Sequence, residues 1–108
     1  VATANHEKLF APALPRAGIY DCFDAFTTLA EVKRGKGFPD IYLRTAEKLA
    51  LPPADCLVLE DILAGIRGAR AGGFQTAAVA DPSNRHSREA LAREADLFLQ
   101  DFSEALRW

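Results

Sequence analysis

Two adjacent carboxylates, Glu60 and Asp61, directly follow the apolar run Cys56-Leu57-Val58-Leu59. Such a run reads as a strand buried on both faces, which places the acid pair at its C-terminal end. Two carboxylates there are costly unless something positive faces them. Mg²⁺ meets that need, because it takes hard oxygen ligands and accepts one or two carboxylates together with phosphate and water. The plainer alternative is an exposed pair, with Asp61 interacting with the positive N-terminus of the helix that follows. Lys36 stands between Gly35 and Gly37, just before a proline-started helix. From such a loop an ammonium group can swing toward a phosphoryl group and neutralise charge as it develops. Taken alone, it reads more simply as a solvated lysine. Thr3 follows what looks like the tail of a strand and precedes a helix N-terminus, where backbone N–H groups can cradle an anion. Alone, it reads as a cap. Together these residues supply the metal, cation and hydrogen-bond donor that phosphoryl transfer requires. A nucleophile is missing from the set.

The elements that would position these residues alternate along the chain. Apolar spacing predicts a helix over Asn5–Leu14, capped by Asn5 and weakened at its far end by Pro12 and Pro15. Phe23–Leu29 reads as a short strand and Glu31–Phe38 as a loop. Pro39 suits the start of a helix reaching about Leu51, with Ile41, Tyr42, Thr45, Ala46 and Leu49 on its apolar side. A strand at Cys56–Leu59 leads into a helix over Leu63–Ala71, stopped by Gly72-Gly73. Thr76–Ala80 is another buried strand. Ser83 or Asn84 caps a helix to about Glu94, and Leu97–Leu99 is a last strand. Asp101 and Glu104 form a capping-box pattern for a final helix. Strands alternating with helices predict a parallel sheet with helices on both faces, and ligands collect at the C-terminal edge of such a sheet. Thr3 and the Glu60-Asp61 pair fall at that edge.

The bulk composition narrows the classes. The chain has 108 residues, 49% apolar and 26% charged, with a net charge of −2. One soluble domain is the most this length allows. The mild acidity argues against nucleic acid and against a polybasic membrane contact. Two separated cysteines, Cys22 and Cys56, predict reduced thiols in a cytoplasmic protein rather than a disulfide or zinc site. No methionine is present, and Val1-Ala2-Thr3 reads as the end of a strand begun earlier. The expectation is a piece of a longer chain.

Several segments then become recognisable. Gly35-Lys36-Gly37-Phe38-Pro39-Asp40-Ile41-Tyr42 resembles the K-P-x-P-D-x-[FY] segment of the β-phosphoglucomutase-like branch of the haloacid dehalogenase superfamily. Val58-Leu59-Glu60-Asp61-Ile62-Leu63-Ala64-Gly65-Ile66 looks like that branch's V-x-E-D-S-x-x-G-I. Ala71-Gly72-Gly73-Phe74 is similar to its A-G-M turn, and Val1-Ala2-Thr3-Ala4-Asn5 to the strand ending in Thr or Ser of its second motif. The resemblance covers residues 1 to about 81 in order. Residues 82 to 108 fit less distinctively. It implies a three-layer, doubly wound parallel sheet (Rossmann-like), incomplete because the N-terminal central strand and the cap domain are absent. Residues 1–108 would be the C-terminal part of the core domain.

The same resemblance implies roles. Asp61 would bind Mg²⁺, with Glu60 a second ligand or a partner one layer further out. Lys36 would bind the transferring phosphoryl group and the nucleophilic aspartate. Thr3 would hydrogen-bond a phosphoryl oxygen, and Asn5 would touch a small phosphorylated metabolite. The family's two aspartates lie in D-x-D-G-T, and no D-x-D occurs here; Asp21 and Asp24 are spaced differently. The 108 residues alone are therefore expected to be inactive. Loss of a central strand would expose apolar edges prone to self-association or domain swapping. Ile62 in place of the family's Ser, and Gly37 in place of its Pro, keep open the alternative of a non-catalytic remnant or interaction module. A phosphoacceptor receiver domain fits poorly, since its acids belong on the first strand and its lysine on the last. A dinucleotide-binding domain fails because Gly65, Gly68 and Gly72 follow no strand-turn G-x-G-x-x-G.

Overall fold

The computed structural model describes residues 1–3, 22–35 and 37–107. The expected helix over Asn5–Leu14 lies outside them, as do Asn5, Asp21 and Lys36. Five strands are described: β1 (Ala2–Thr3), β2 (Thr27–Thr28), β3 (Leu57–Glu60), β4 (Gln75–Val79) and β5 (Leu97–Leu99). Three α-helices accompany them: α1 (Asp40–Leu49), α2 (Leu63–Ala71) and α3 (Arg88–Glu94). Every strand pairing is parallel. The strands form two separate pieces, β1-β2 and β3-β4-β5, so β1 and β3 do not pair with each other.

The helix-strand alternation follows from the residues. In α1, Ile41, Tyr42 and Ala46 are buried along one face. In α2, Gly65, Ile66, Gly68 and Ala69 are buried while Arg67 and Arg70 face water. The turn after α2 places Gly73 at φ 87°, a left-handed conformation that glycine adopts without the Cβ penalty other residues meet. β4 is the central strand of its sheet and is buried on both faces, from Thr76 to Val79. Ala78 joins Ile66, Leu91 and Ala95 beneath α2 and α3. Ala77 and Val79 face the other way, against Leu99, Leu57 and Ala105. Among the described residues, that second face is covered by the 3₁₀ segment Phe102–Arg107. The two sheet pieces are joined by packing rather than pairing. Ile41, Tyr42 and Ala46 of α1 meet Ala69 and Phe74, with Ala2 and Leu29 on one side and Val58 on the other.

Several expectations require correction. The strand expected over Phe23–Leu29 is two residues long, because Leu29–Glu31 turns into a 3₁₀ helix. There the Glu31 carboxylate accepts the Thr28 N–H at 3.0 Å and binds Lys48 of α1 at 2.6 Å. That local capping outweighs the β propensity of the threonines. β3 is not buried on both faces, since Leu59 is 39% exposed. Asp81, not Ser83 or Asn84, caps the segment after β4; its carboxylate takes the Ser83 N–H, and Pro82–Ser87 is 3₁₀ before α3 begins. The final element is likewise 3₁₀, with the Asp101 carboxylate taking the N–H of Ser103.

α1 ends at Leu49, two residues earlier than expected, on Ala50 at φ 56°, ψ 39°. The Ala50 N–H bonds the carbonyls of Ala46 and Glu47, and Leu51 N–H returns to Ala46 O. This is the helix stop that glycine usually makes, here carried by a residue whose Cβ resists it. Ala50→Gly is expected to raise stability by about 1 kcal/mol, read from the midpoint of urea unfolding.

Candidate active site

Three acids stand at the C-terminal ends of neighbouring parallel strands: Asp61 after β3, Asp81 after β4 and Asp101 after β5. All three line one open cleft of about 390 Å³, together with Ala2 of β1, Ala80 and Phe102. Chemically they are not equivalent. The Asp81 carboxylate accepts the Ser83 N–H and hydroxyl at 2.9 and 2.6 Å. The Asp101 carboxylate accepts the Ser103 N–H at 2.8 Å and the Ser103 hydroxyl. In each case the serine contacts hold the carboxyl below its usual range. Asp61 is different: it is exposed, and its carboxylate has no hydrogen bond or ion pair among the described residues. Nor does it cap α2, whose N-cap is Ile62 with no side-chain cap bond. The alternative of an exposed Asp61 near the positive N-terminus of α2 keeps its exposure and its place, one residue before the N-cap, but without a cap hydrogen bond.

Glu60 is built the opposite way. Only 8% of it is exposed, and its Oε1 accepts the Tyr42 hydroxyl at 2.7 Å. Burial, with the glutamate beside it, pushes that phenol above its ordinary range, so it remains a donor. The Glu60 side chain lies across Gly65 in the first turn of α2. A Cβ on Gly65 would come within 2.6 Å of Glu60 Cδ and 2.8 Å of its Oε2. Gly65→Ala is expected to push the carboxylate off Tyr42, leaving a buried hydroxyl without its acceptor. The expected cost is about 1–3 kcal/mol, measured by chemical denaturation.

The main chain at Asp61 is fixed by Asn84. This side chain is 3% exposed, and its Nδ2 donates to Asp61 O at 2.8 Å and to Val79 O at 2.9 Å. Its Oδ1 accepts the Asp81 N–H at 3.0 Å. One amide thus ties the loop after β3 to the loop after β4. Sequence reading missed both supports, because Tyr42 counted only as an apolar helix residue and Asn84 only as a cap.

Thr3 ends β1, next to Ala2, which lines the same cleft as Asp61. Lys36 lies outside the described residues; of its neighbours, Phe38 N–H bonds Gly35 O at 3.0 Å, and Arg34 binds Asp40 at 2.7 Å while stacking 4.4 Å over Phe38. Between β1 and β3 runs an apolar groove of about 450 Å³, floored by Tyr42, Ala46 and Leu49 of α1. No group of three Asp, Glu, His or Cys side chains converges among the described residues. An unpartnered carboxylate at a cleft still suits Mg²⁺, which commonly takes one or two protein carboxylates and fills its shell with water and phosphate. No helix of the described residues is long and apolar enough to cross a membrane.

Known proteins are similar to this chain in sequence and fold. A family model described as haloacid dehalogenase-like hydrolase matches residues 1–73. Hexitol phosphatase A of Escherichia coli is 43% identical over 96% of this chain and 42% of its own length. Protein CbbY of Rhodobacter capsulatus is 39% identical over 94% of this chain and 43% of its own. The crystal structure of a CbbY mutant from Rhodobacter sphaeroides in complex with xylulose-(1,5)bisphosphate superposes with a TM-score of 0.70 at 32% identity, covering 78% of this chain and 36% of that one. The chain thus spans less than half the length of these relatives. The chain belongs to the haloacid dehalogenase-like hydrolases.

Proposed function

We propose that the polypeptide carrying this chain is a Mg²⁺-dependent phosphatase or phosphomutase that acts on a small phosphorylated sugar through a phosphoaspartate. The observation that carries the reading is Asp61, the one strand-end acid of three whose carboxylate is not spent on a cap. Two relatives support the substrate class, one being a hexitol phosphatase and another having been crystallised with a sugar bisphosphate. In this reading Asp61 holds Mg²⁺, and Glu60 serves as its buried neighbour rather than as a direct ligand. The ion would supply positive charge against the developing negative charge of the phosphoryl oxygens. Lys36 neutralises the phosphoryl group, Thr3 donates a hydrogen bond to one of its oxygens, and Asn5 meets the substrate. The nucleophilic aspartate belongs to a part of the polypeptide outside residues 1–108, since no D-x-D occurs within them. By the same reading, residues 1–108 are the C-terminal part of the core domain and are inactive alone.

The test is a screen of the full-length polypeptide against sugar phosphates and nucleotides, with and without Mg²⁺. Phosphate release or isomerisation of a sugar phosphate that requires Mg²⁺ is the expected result. Turnover unaffected by chelation, or none with any phosphorylated substrate, would sink the proposal.

A further inference from the structure

Glu60 ends β3 and Asp61 follows it, so a buried and an exposed carboxylate are adjacent in the chain. The structure provides two separate supports. Tyr42, on α1, donates to Glu60 Oε1 at 2.7 Å, and Gly65, on α2, leaves the space in which the Glu60 side chain lies. Asn84, from the loop after β4, donates to the Asp61 carbonyl at 2.8 Å and is anchored by Val79 O and Asp81 N–H. The Tyr42 ring is itself held edge-on to Phe74 at 6.2 Å, and Asn84 is buried with every polar atom of its amide engaged. Both side chains are thus rigid, and each acts on one member of the pair.

We propose that Tyr42 and Asn84 are positioning residues: Tyr42 holds the Glu60 carboxylate inward under α2, and Asn84 fixes the main chain at Asp61 so that its carboxylate stands at the strand-edge cleft. The inference rests on the reading of Asp61 as a metal ligand. Groups that orient a ligand from behind typically alter metal affinity by about 10–100-fold when removed. Tyr42→Phe deletes one oxygen and leaves the ring against Phe74. Asn84→Asp keeps the shape and the acceptor for Asp81 N–H, but turns an acceptor toward the carbonyls of Asp61 and Val79.

The experiment is a titration of the full-length polypeptide with Mn²⁺, a paramagnetic ion that suits the same oxygen ligands. Bound ion is read from the loss of the free-ion electron paramagnetic resonance signal, well below the melting temperature of every variant. Asn84→Asp is expected to weaken Kd by about 10-fold or more, and Tyr42→Phe, which acts through Glu60 beside the ligand, to weaken it by a smaller but measurable factor. Leu91→Val, a buried truncation on α3 that lowers the melting temperature without touching the acid pair, is expected to leave Kd unchanged. Asp61→Asn separates the two ideas. If Asp61→Asn abolishes binding while Tyr42→Phe and Asn84→Asp keep the wild-type Kd, the positioning roles are overturned and the metal reading stands. If Asp61→Asn binds Mn²⁺ as the wild type does, the metal reading fails and takes this inference with it. Should Asn84→Asp not fold, Asn84→Ser replaces it, with the same weakening expected and an unchanged Kd overturning the role of Asn84.

Discussion

Asp61→Asn is expected to lower kcat of the full-length polypeptide by roughly 10³-fold while leaving its melting temperature almost unchanged. On the proposed reading, the rate effect follows from removing the carboxylate that would hold the ion, a contribution of several kcal/mol to transition-state stabilisation, at about 1.4 kcal/mol per tenfold. The stability effect is small because the side chain is exposed and has no partner to lose among the described residues. Asp81→Asn and Asp101→Asn provide the contrast at the same sheet edge. Both are expected to stay within a few-fold of wild-type kcat, because their carboxylates are engaged with Ser83 and Ser103. Steady-state kinetics at saturating Mg²⁺, alongside thermal melts of the three variants, distinguishes the roles. Equal losses for all three would mean that the acids act as a diffuse negative field rather than through one ligand.

The 108-residue chain expressed by itself is expected to self-associate. Among the described residues β3 is an edge strand of its sheet, and it borders an apolar groove. The groove is apolar, lined by Val1, Phe23, Leu57 and Leu59, of which Val1, Phe23 and Leu59 are 36%, 37% and 39% exposed. Covering a groove with a strand of five or six residues is worth several kcal/mol at about 25 cal/mol per Å², comparable with the whole stability of a small domain. Another chain's edge would supply that burial. Sedimentation velocity across the micromolar to millimolar range, where exposed edges associate, should show a concentration-dependent shift to larger species. A monomer with one sharp urea transition throughout that range would contradict the expectation.

Much of this architecture was legible in the residue order. α2 begins and ends where its apolar spacing and Gly72-Gly73 place it, and β5 matches residue for residue. These elements are governed by burial periodicity and by a glycine stop, both local properties. The errors cluster where two local signals compete. Asp81 and Asp101 close 3₁₀ turns through a serine two residues on, in places where apolar spacing and cap patterns predicted longer helices. At Ala50 the residue is the wrong type for the stop it makes, and no pattern in the sequence announces it.

By itself, the sequence determined that Glu60 and Asp61 would sit together at a strand end, because an apolar run and its polar terminus are encoded by neighbouring residues. It also carried the family, through the spacing of its motifs. Only the tertiary structure decided that the two acids differ, with one buried against a tyrosine and a glycine and the other standing alone at a cleft. That decision comes from Tyr42 and Asn84, each about twenty residues from the pair it holds. A hydrogen bond between distant residues leaves no periodicity for a linear reading to detect; it exists once α1, β3 and β4 have packed.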